Sequence, residues 1–414
     1  MRKTCYLYAT IWCFVLGLSV SAASVPAKKL VIWSHWGKEP VKVSFMKTVT
    51  REFSKTHNIP VEIVWIPKNE LLEKLPFALD SSEPDIVYLD SGFSHPRIVR
   101  SLQDLSGLQL SGQISPSWEL QDLGNGSRTF LPIEGISHAI YYNKLLFQQA
   151  GIEVPGDRLM TASEFLDIVG KLRAEGITPI GEGAGDRAIK ASIPIMNTLF
   201  RYMGPEKLSR LLTGAINFSD PDAVAALNFW QHVIDAKGYD PSKALQLTLS
   251  EGIFEVTDGK AAMNFCGTYF YSKYGATERD KGQIGVLDWF TVKNGKGNKY
   301  YEILWEAGFG INKHSAHLED AKAFLEYLMT PEAASLWMER VQTPYPVIAQ
   351  KISAESLCGK LTEQRKHQTP SSVLFTYESF AEEAAQRMWE DVTRKFIVGT
   401  CTVEQFIERM NSRL

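Results

Sequence analysis

The chain has 414 residues, longer than one hydrophobic core ordinarily serves and comfortable for two lobes. With 44% hydrophobic, 22% charged and 11% aromatic residues, it has the composition of a soluble globular protein, which excludes a disordered, disulfide-dense or wholly membrane-embedded chain. The 44 Lys and Arg nearly balance the 47 Asp and Glu, so no basic face for nucleic acid or an anionic membrane is implied, and a small neutral or weakly charged ligand fits better.

Arg2 and Lys3 precede an apolar run over residues 6–18, and Ser19-Val20-Ser21-Ala22-Ala23 follows it. Charge, length and small-residue end are those of a secretory signal peptide over residues 1–23, with cleavage expected near Ala22 or Ala23. The run is shorter than the roughly 20 residues that span a bilayer. Cys13 lies inside it, behind Thr10-Ile11-Trp12 and not after small residues, so lipid attachment is not expected. Cleavage leaves Cys266, Cys358 and Cys401, which permit at most one disulfide. Cys358 with Cys401, both in the tail, is the plausible pair, and Cys266 reads as a small core residue. No cysteine spacing suggests zinc.

Beyond the signal, Leu30-Val31-Ile32-Trp33 is a short apolar run, and apolar residues at 45, 46, 49 and 53 form a helical stripe. The β-branched run 61–66, a helical stretch over 69–79 and the buried-strand pattern 85–89 continue the alternation. Strands alternating with helices predict βαβ units and an α/β fold. Residues 131–132 and 139–142 frame a change of lobe. After it, Ser163 and Glu164 open a stripe at Phe165, Ile168, Val169 and Leu172. Asp220 before Pro221, and Thr330 before Pro331, are N-caps with proline at the first helical position. Residues 262–265, 284–286 and 309–311 read as strands, 318–329 and 331–338 as paired helices, and 380–396 as a closing helical tail.

Enzyme constellations are missing. Gly92-Phe93-Ser94-His95-Pro96 comes nearest to a nucleophile elbow but has proline where glycine is required. His314 and His317 lack the zincin arrangement and precede a helix in a polar loop. Asp85 and Asp90 on an extended stretch stand about 17 Å apart on opposite faces, too far for a glycosidase pair. Gly181-Glu182-Gly183-Ala184-Gly185 matches neither phosphate-binding spacing and reads as a flexible turn. Abundant aromatics without a catalytic set point to recognition, because a ring covers the C–H face of a sugar while carboxylates and amides take its hydroxyls.

Several stretches fall in one order: 30–37, Pro84-Asp85-Ile86-Val87, Tyr141-Tyr142-Asn143-Lys144-Leu145-Leu146-Phe147 with Ala150-Gly151-Ile152, Asp220-Pro221 with Ala225-Ala226-Leu227 and Trp230, and Gly259-Lys260-Ala261-Ala262-Met263. Over residues 29–347 the chain thereby resembles the extracellular solute-binding proteins of ABC importers, in the carbohydrate-binding cluster that includes the maltose-binding and glycerol-phosphate-binding proteins. The resemblance implies an α/β fold of two lobes, with mixed sheets flanked by helices and a ligand cleft between them. It implies a first lobe of 24–135 plus 306–342, a second of 136–305 plus 343–414, and crossings near 133–138, 303–307 and 341–346. It further implies a periplasmic monomer without cofactor, enzymatic activity or nucleic-acid partner, which captures a mono- or oligosaccharide by hinge closure and delivers it to a membrane permease.

On that resemblance, the ligand-binding residues are Trp36 and His35 in the first turn, Asp90 and Ser91 after the third strand, and Tyr269 where relatives place a stacked tryptophan. Trp36 is favoured over Trp33, a core ring. Trp305 and Glu306, which depart from the two glycines of many relatives, either project into the cleft or mark a slip in alignment. Tyr345 either faces the ligand or packs in the hinge. Arg187, after the glycine-rich turn, would suit an anionic group such as a sugar phosphate if it faces the cleft, and otherwise pairs with an acid such as Asp186. The rivals are thus an anionic ligand and, from another class, a periplasmic carbohydrate-active enzyme.

Overall fold

Burial on both faces is what a central parallel strand requires, and Leu30, Val31, Ile32 and Ser34 are all enclosed. In the computed structural model, which describes residues 29–90, 95–156, 158–185, 189–272, 283–349, 352–372 and 380–414, β1 (Leu30–Ser34) lies between β2 (Val61–Trp65) and β3 (Ile86–Leu89), parallel to both. The signal peptide expected over residues 1–23 falls outside the described residues. In chain order follow β4 (Gln121–Asp122), β5 (Arg128–Ile136), β6 (His138–Asn143), β7 (Thr178–Ile180), β8 (Ala261–Gly267), β9 (Ile284–Leu287), β10 (Tyr300–Glu302), β11 (Leu304–Ile311) and β12 (Thr369–Ser371). They form a six-stranded sheet ordered β2-β1-β3-β11-β5-β4, a four-stranded sheet ordered β7-β8-β6-β9, and a parallel pair of β10 with β12.

The helices start where capping chemistry places them. Thr161 accepts from the Glu164 N–H at 3.2 Å while the Glu164 carboxylate accepts from the Thr161 N–H at 2.7 Å, a reciprocal cap that begins the helix Ala162–Ala174 slightly ahead of Ser163. Its stripe of Phe165, Ile168, Val169 and Leu172 is buried as expected. Asp220 caps Pro221–Asp235 and Thr330 caps Pro331–Arg340. The expected single tail helix is two, Glu383–Ile397 and Val403–Asn411, because Gly399 at φ 73° turns the chain and Thr402 caps a fresh start.

Two large apolar cores result. Ile32, Phe45, Tyr88, Phe309, Phe324 and Trp337 pack around the first sheet, and Phe165, Leu199, Trp230, Phe265, Trp389 and Phe406 around the second. Cys358 belongs to the first and Cys401 to the second, and Cys266, Cys358 and Cys401 are buried free thiols. The plausible Cys358–Cys401 pair is not joined, because the two thiols serve separate cores.

One residue, Ser137, separates β5 of the six-stranded sheet from β6 of the four-stranded sheet, and one, Ile303, separates β10 from β11. Residues 345–348 still belong to the first body. Tyr345 and Val347 are buried in the first core, the Ser115 N–H donates to the Pro346 carbonyl at 2.8 Å, and the Ile348 N–H donates to the Gln113 carbonyl at 2.8 Å. Sheet polarity then sets which edges meet. β3 is antiparallel to β11 and β11 to β5, so the carboxyl ends of β1, β3 and β5 share the edge from which the chain departs. β7 is parallel and β6 antiparallel to β8, so the carboxyl ends of β7 and β8 share the edge where it arrives.

Candidate ligand-binding site

Ligands of open α/β sheets bind beyond the carboxyl ends of strands, and three polar side chains converge at that edge of the first sheet. Asp90 follows β3, His35 follows β1, and Lys68 opens the helix Lys68–Ala78 after β2. Lys68 Nζ donates to Asp90 Oδ2 at 2.7 Å, and His35 Nε2 lies 3.7 Å from the same oxygen. Burial, outweighing the attraction of Asp90, lowers the His35 pKa to about 4, so its imidazole is neutral at pH 7. The Asp90 side chain keeps 15% of its surface exposed and can accept from a ligand hydroxyl.

Trp36 does not present the stacking face expected of it. The short 3-10 turn Trp36–Lys38 rotates the indole inward, where it is fully buried with centroids 4.3 Å from Tyr88, 6.0 Å from Phe309 and 5.8 Å from Trp337. Lys42 Nζ sits 4.8 Å over the ring and bonds Glu134 at 2.7 Å and Glu39 at 3.0 Å. Burial alone would lower the Lys42 pKa, but the two carboxylates more than reverse it and hold it above the ordinary value. Trp33, read as the core ring, is only half-buried.

At the facing edge of the second sheet, Thr268 and Tyr269 form the turn after β8. The Tyr269 ring is half-buried and lies against Gly267, where a Cβ would stand 2.4 Å from its Cε1, so glycine at 267 admits the ring. The turn after β7 is no phosphate cradle. Its Gly181, Ala184 and Gly185 N–H groups donate to the carbonyls of Met263, Ala244 and Leu247 at 2.8, 2.9 and 2.8 Å.

The other expected site residues divide. Trp305 is 5% exposed, its Nε1 donates to Ser117 Oγ at 3.2 Å, and its ring edge packs on Gly135, so it fills the crossing and does not line a cleft. Tyr345 is 6% exposed, donates its hydroxyl to the Leu328 carbonyl at 2.6 Å and packs beside Trp337 and Phe45, which makes it a residue of the first core. The register of β11 against β5 shifts between Trp305 and Ala307, and the Glu306 side chain falls outside the description, as do Ser91 and Arg187. Lys68, Lys42 with Glu134, and Thr268 escape sequence reading. Glu134 alone carried a signal, being a lone acid within the apolar run of β5.

Residues read as chemically idle are structural. Asp85 is 1% exposed, accepts from the Val31 N–H at 2.8 Å, and meets Ser315 and His317 on the side away from the cleft. Among the described residues no cluster suits a metal ion, and no helix is long and apolar enough to cross a membrane.

A family model described as bacterial extracellular solute-binding protein matches residues 37–335. The chain belongs to that solute-binding family. No curated protein sequence matches it. Solved structures share the two-lobed fold of this solute-binding protein. One, from work on xylan utilization by the thermophilic bacterium Caldanaerobius polysaccharolyticus, has a TM-score of 0.73 at 20% identity, covering 93% of this chain and 99% of that one. RafE from Streptococcus pneumoniae in its apo form scores 0.72 at 19% identity, covering 94% and 97%, and its raffinose complex scores 0.65. The GacH receptor of Streptomyces glaucescens, studied unliganded and with acarbose, scores 0.63 at 16% identity, covering 93% and 97%.

Proposed function

We propose that this solute-binding protein is the substrate-binding subunit of an ABC importer, acting as a periplasmic monomer that catches a mono- or oligosaccharide between its lobes and presents the closed form to a membrane permease. The observation that carries the reading is the pairing of edges. Asp90, a partly exposed acceptor steadied by Lys68, and Tyr269, a partly buried ring, stand on opposite sides of crossings only one residue long. A ring and a carboxylate are the two groups a sugar engages, through its C–H face and its hydroxyls. Raffinose in RafE and acarbose in GacH, on the same fold, support the ligand class.

The packing supports a first lobe of 29–136 with 304–349 and a second of 138–302 with 361–414, joined at Ser137, at Ile303 and in the stretch beyond Ala349, in which Cys358 still packs on the first core. A ligand favours closure only through contacts it makes better in the closed state, so both edges must touch it. The amides of the 181–185 turn already bonded within the protein favour a neutral ligand over a phosphate.

The test is a thermal-shift screen of the mature protein against neutral sugars and sugar phosphates. A ligand at 100 times its Kd adds about 2.7 kcal/mol and raises Tm visibly. At least one neutral sugar is expected to do so. A panel in which no carbohydrate shifts Tm overturns the ligand class, and product accumulating beyond one equivalent of protein overturns the binding role.

A further inference from the structure

Ser137, the sole residue between β5 and β6, is fully buried, and all its polar groups are engaged. Its N–H donates to Thr268 Oγ1 at 3.3 Å, its carbonyl accepts from the Thr268 N–H at 2.9 Å, and its hydroxyl donates to the Glu302 carbonyl at 2.6 Å. Thr268 Oγ1 also donates to the Gly135 carbonyl at 3.4 Å, and the Gly135 N–H donates to the Pro344 carbonyl at 2.8 Å. Glu302, last before the second crossing, accepts from the His138 N–H at 2.8 Å and from the His138 ring. The first crossing is thus fastened to the second by Glu302, and to the second sheet's ligand edge by one residue, Thr268, through both its backbone N–H and its hydroxyl.

Thr268 immediately precedes Tyr269, the ring assigned to the ligand. Its hydroxyl accepts from one side of Ile136 and donates to the other, so it reads the backbone torsions across the pivot. A β-branched side chain holds such a hydroxyl stiffly, because few χ1 rotamers are open to it. Thr268 is itself buried, at 3% exposure, so water does not substitute for these bonds when they break.

We propose that Thr268 is a positioning residue that couples the Tyr269 loop to the pivot at Ser137, so that seating a ligand on Tyr269 and rotating the lobes are one event. Bending then falls on Gly135 and Ile136, on the first-lobe side of the fastened residue. The coupling rests on the cleft reading for its ligand but not for its mechanics, and the experiment separates the two.

Spin labels at the exposed positions Lys47 and Lys171, one on each lobe, report the inter-lobe distance in the full mature chain. Thr268→Val keeps the volume and removes the hydroxyl, and Thr268→Ser keeps the hydroxyl. Without ligand, Thr268→Val broadens the distance distribution and Thr268→Ser restores it. With the sugar identified by thermal shift, Thr268→Val binds about tenfold more weakly, the loss of a buried hydrogen-bonded unit, and Thr268→Ser stays within about twofold of wild type. A Thr268→Val distribution identical to wild type, or a Thr268→Ser variant as disturbed as Thr268→Val, overturns the coupling. A broadened ligand-free distribution in a protein that binds no carbohydrate upholds the coupling and overturns the ligand class. If Thr268→Val does not fold, amide hydrogen exchange of the wild type decides. The Ser137 and Thr268 N–H groups are released by one opening and must exchange with matching protection, and rates more than about tenfold apart overturn the coupling.

Discussion

The two edges that face each other across the crossings are built on opposite plans. In the first, the aromatic ring next to the ligand position, Trp36, is drawn into the core and charge comes to the surface, as Asp90 with Lys68 over a sealed Lys42–Glu134–Glu39 cluster. In the second, the ring is only partly enclosed: Tyr269 lies on a turn held by its neighbour Thr268. The difference teaches that a turn's geometry, not its residue types, decides whether an aromatic serves packing or recognition. A 3-10 turn leading into a helix rotates its first side chain inward, whereas the turn after β8 leaves Tyr269 lying across Gly267.

Four variants break or sharpen that contrast. The largest effect is expected from Lys42→Met, which leaves Glu134 charged at 2% exposure without its partner and should cost about 3–5 kcal/mol of folding stability in urea titration. A cost below about 1 kcal/mol means the cluster is hydrated and not part of a sealed floor. Next, Trp36→Ala empties a fully enclosed indole site and should cost about 3–5 kcal/mol. Ligand affinity lost without that cost returns Trp36 to the cleft.

The third prediction concerns pH. His35 titrates near 4 in the folded protein and near the ordinary 6.5 when unfolded, so between those values the unfolded chain binds more protons. The stability it contributes is fully present above pH 6.5 and is lost as pH falls. His35→Gln should be less sensitive than wild type to acid by about 2 kcal/mol between pH 7.5 and 4.5. Parallel stability curves for the two proteins show the imidazole to be solvated. The smallest effect on folding belongs to Tyr269→Ala, which should weaken sugar binding at least about tenfold while lowering ligand-free stability by less than about 1 kcal/mol. A large drop in ligand-free Tm makes Tyr269 a core residue, and the two edges then share one plan.

Much of the fold was legible along the chain. Alternating apolar runs marked β1, β2 and β3, and the Asp220-Pro221 and Thr330-Pro331 caps began helices where proline's fixed φ and missing N–H are harmless. The proposed site residues lie beside such markers. Asp90 and Tyr269 follow buried strands, and strand ends are visible in sequence. Trp305 and Tyr345 also lie near strand ends or crossings, yet Gly135 and the Leu328 carbonyl, far away in the chain, accommodate their rings and hold them in the core.

The sequence by itself determined the strands and the helix starts, because alternation and caps are local properties written within a few residues. Only the tertiary structure decided which aromatics are enclosed, that Cys358 and Cys401 sit in different cores, and that residues 345–348 still pack in the first. Those outcomes depend on packing partners up to hundreds of positions apart, as Thr268 and Ser137 are 131 apart. Burial and hydrogen-bond satisfaction are settled by neighbours in space and not by neighbours in the chain.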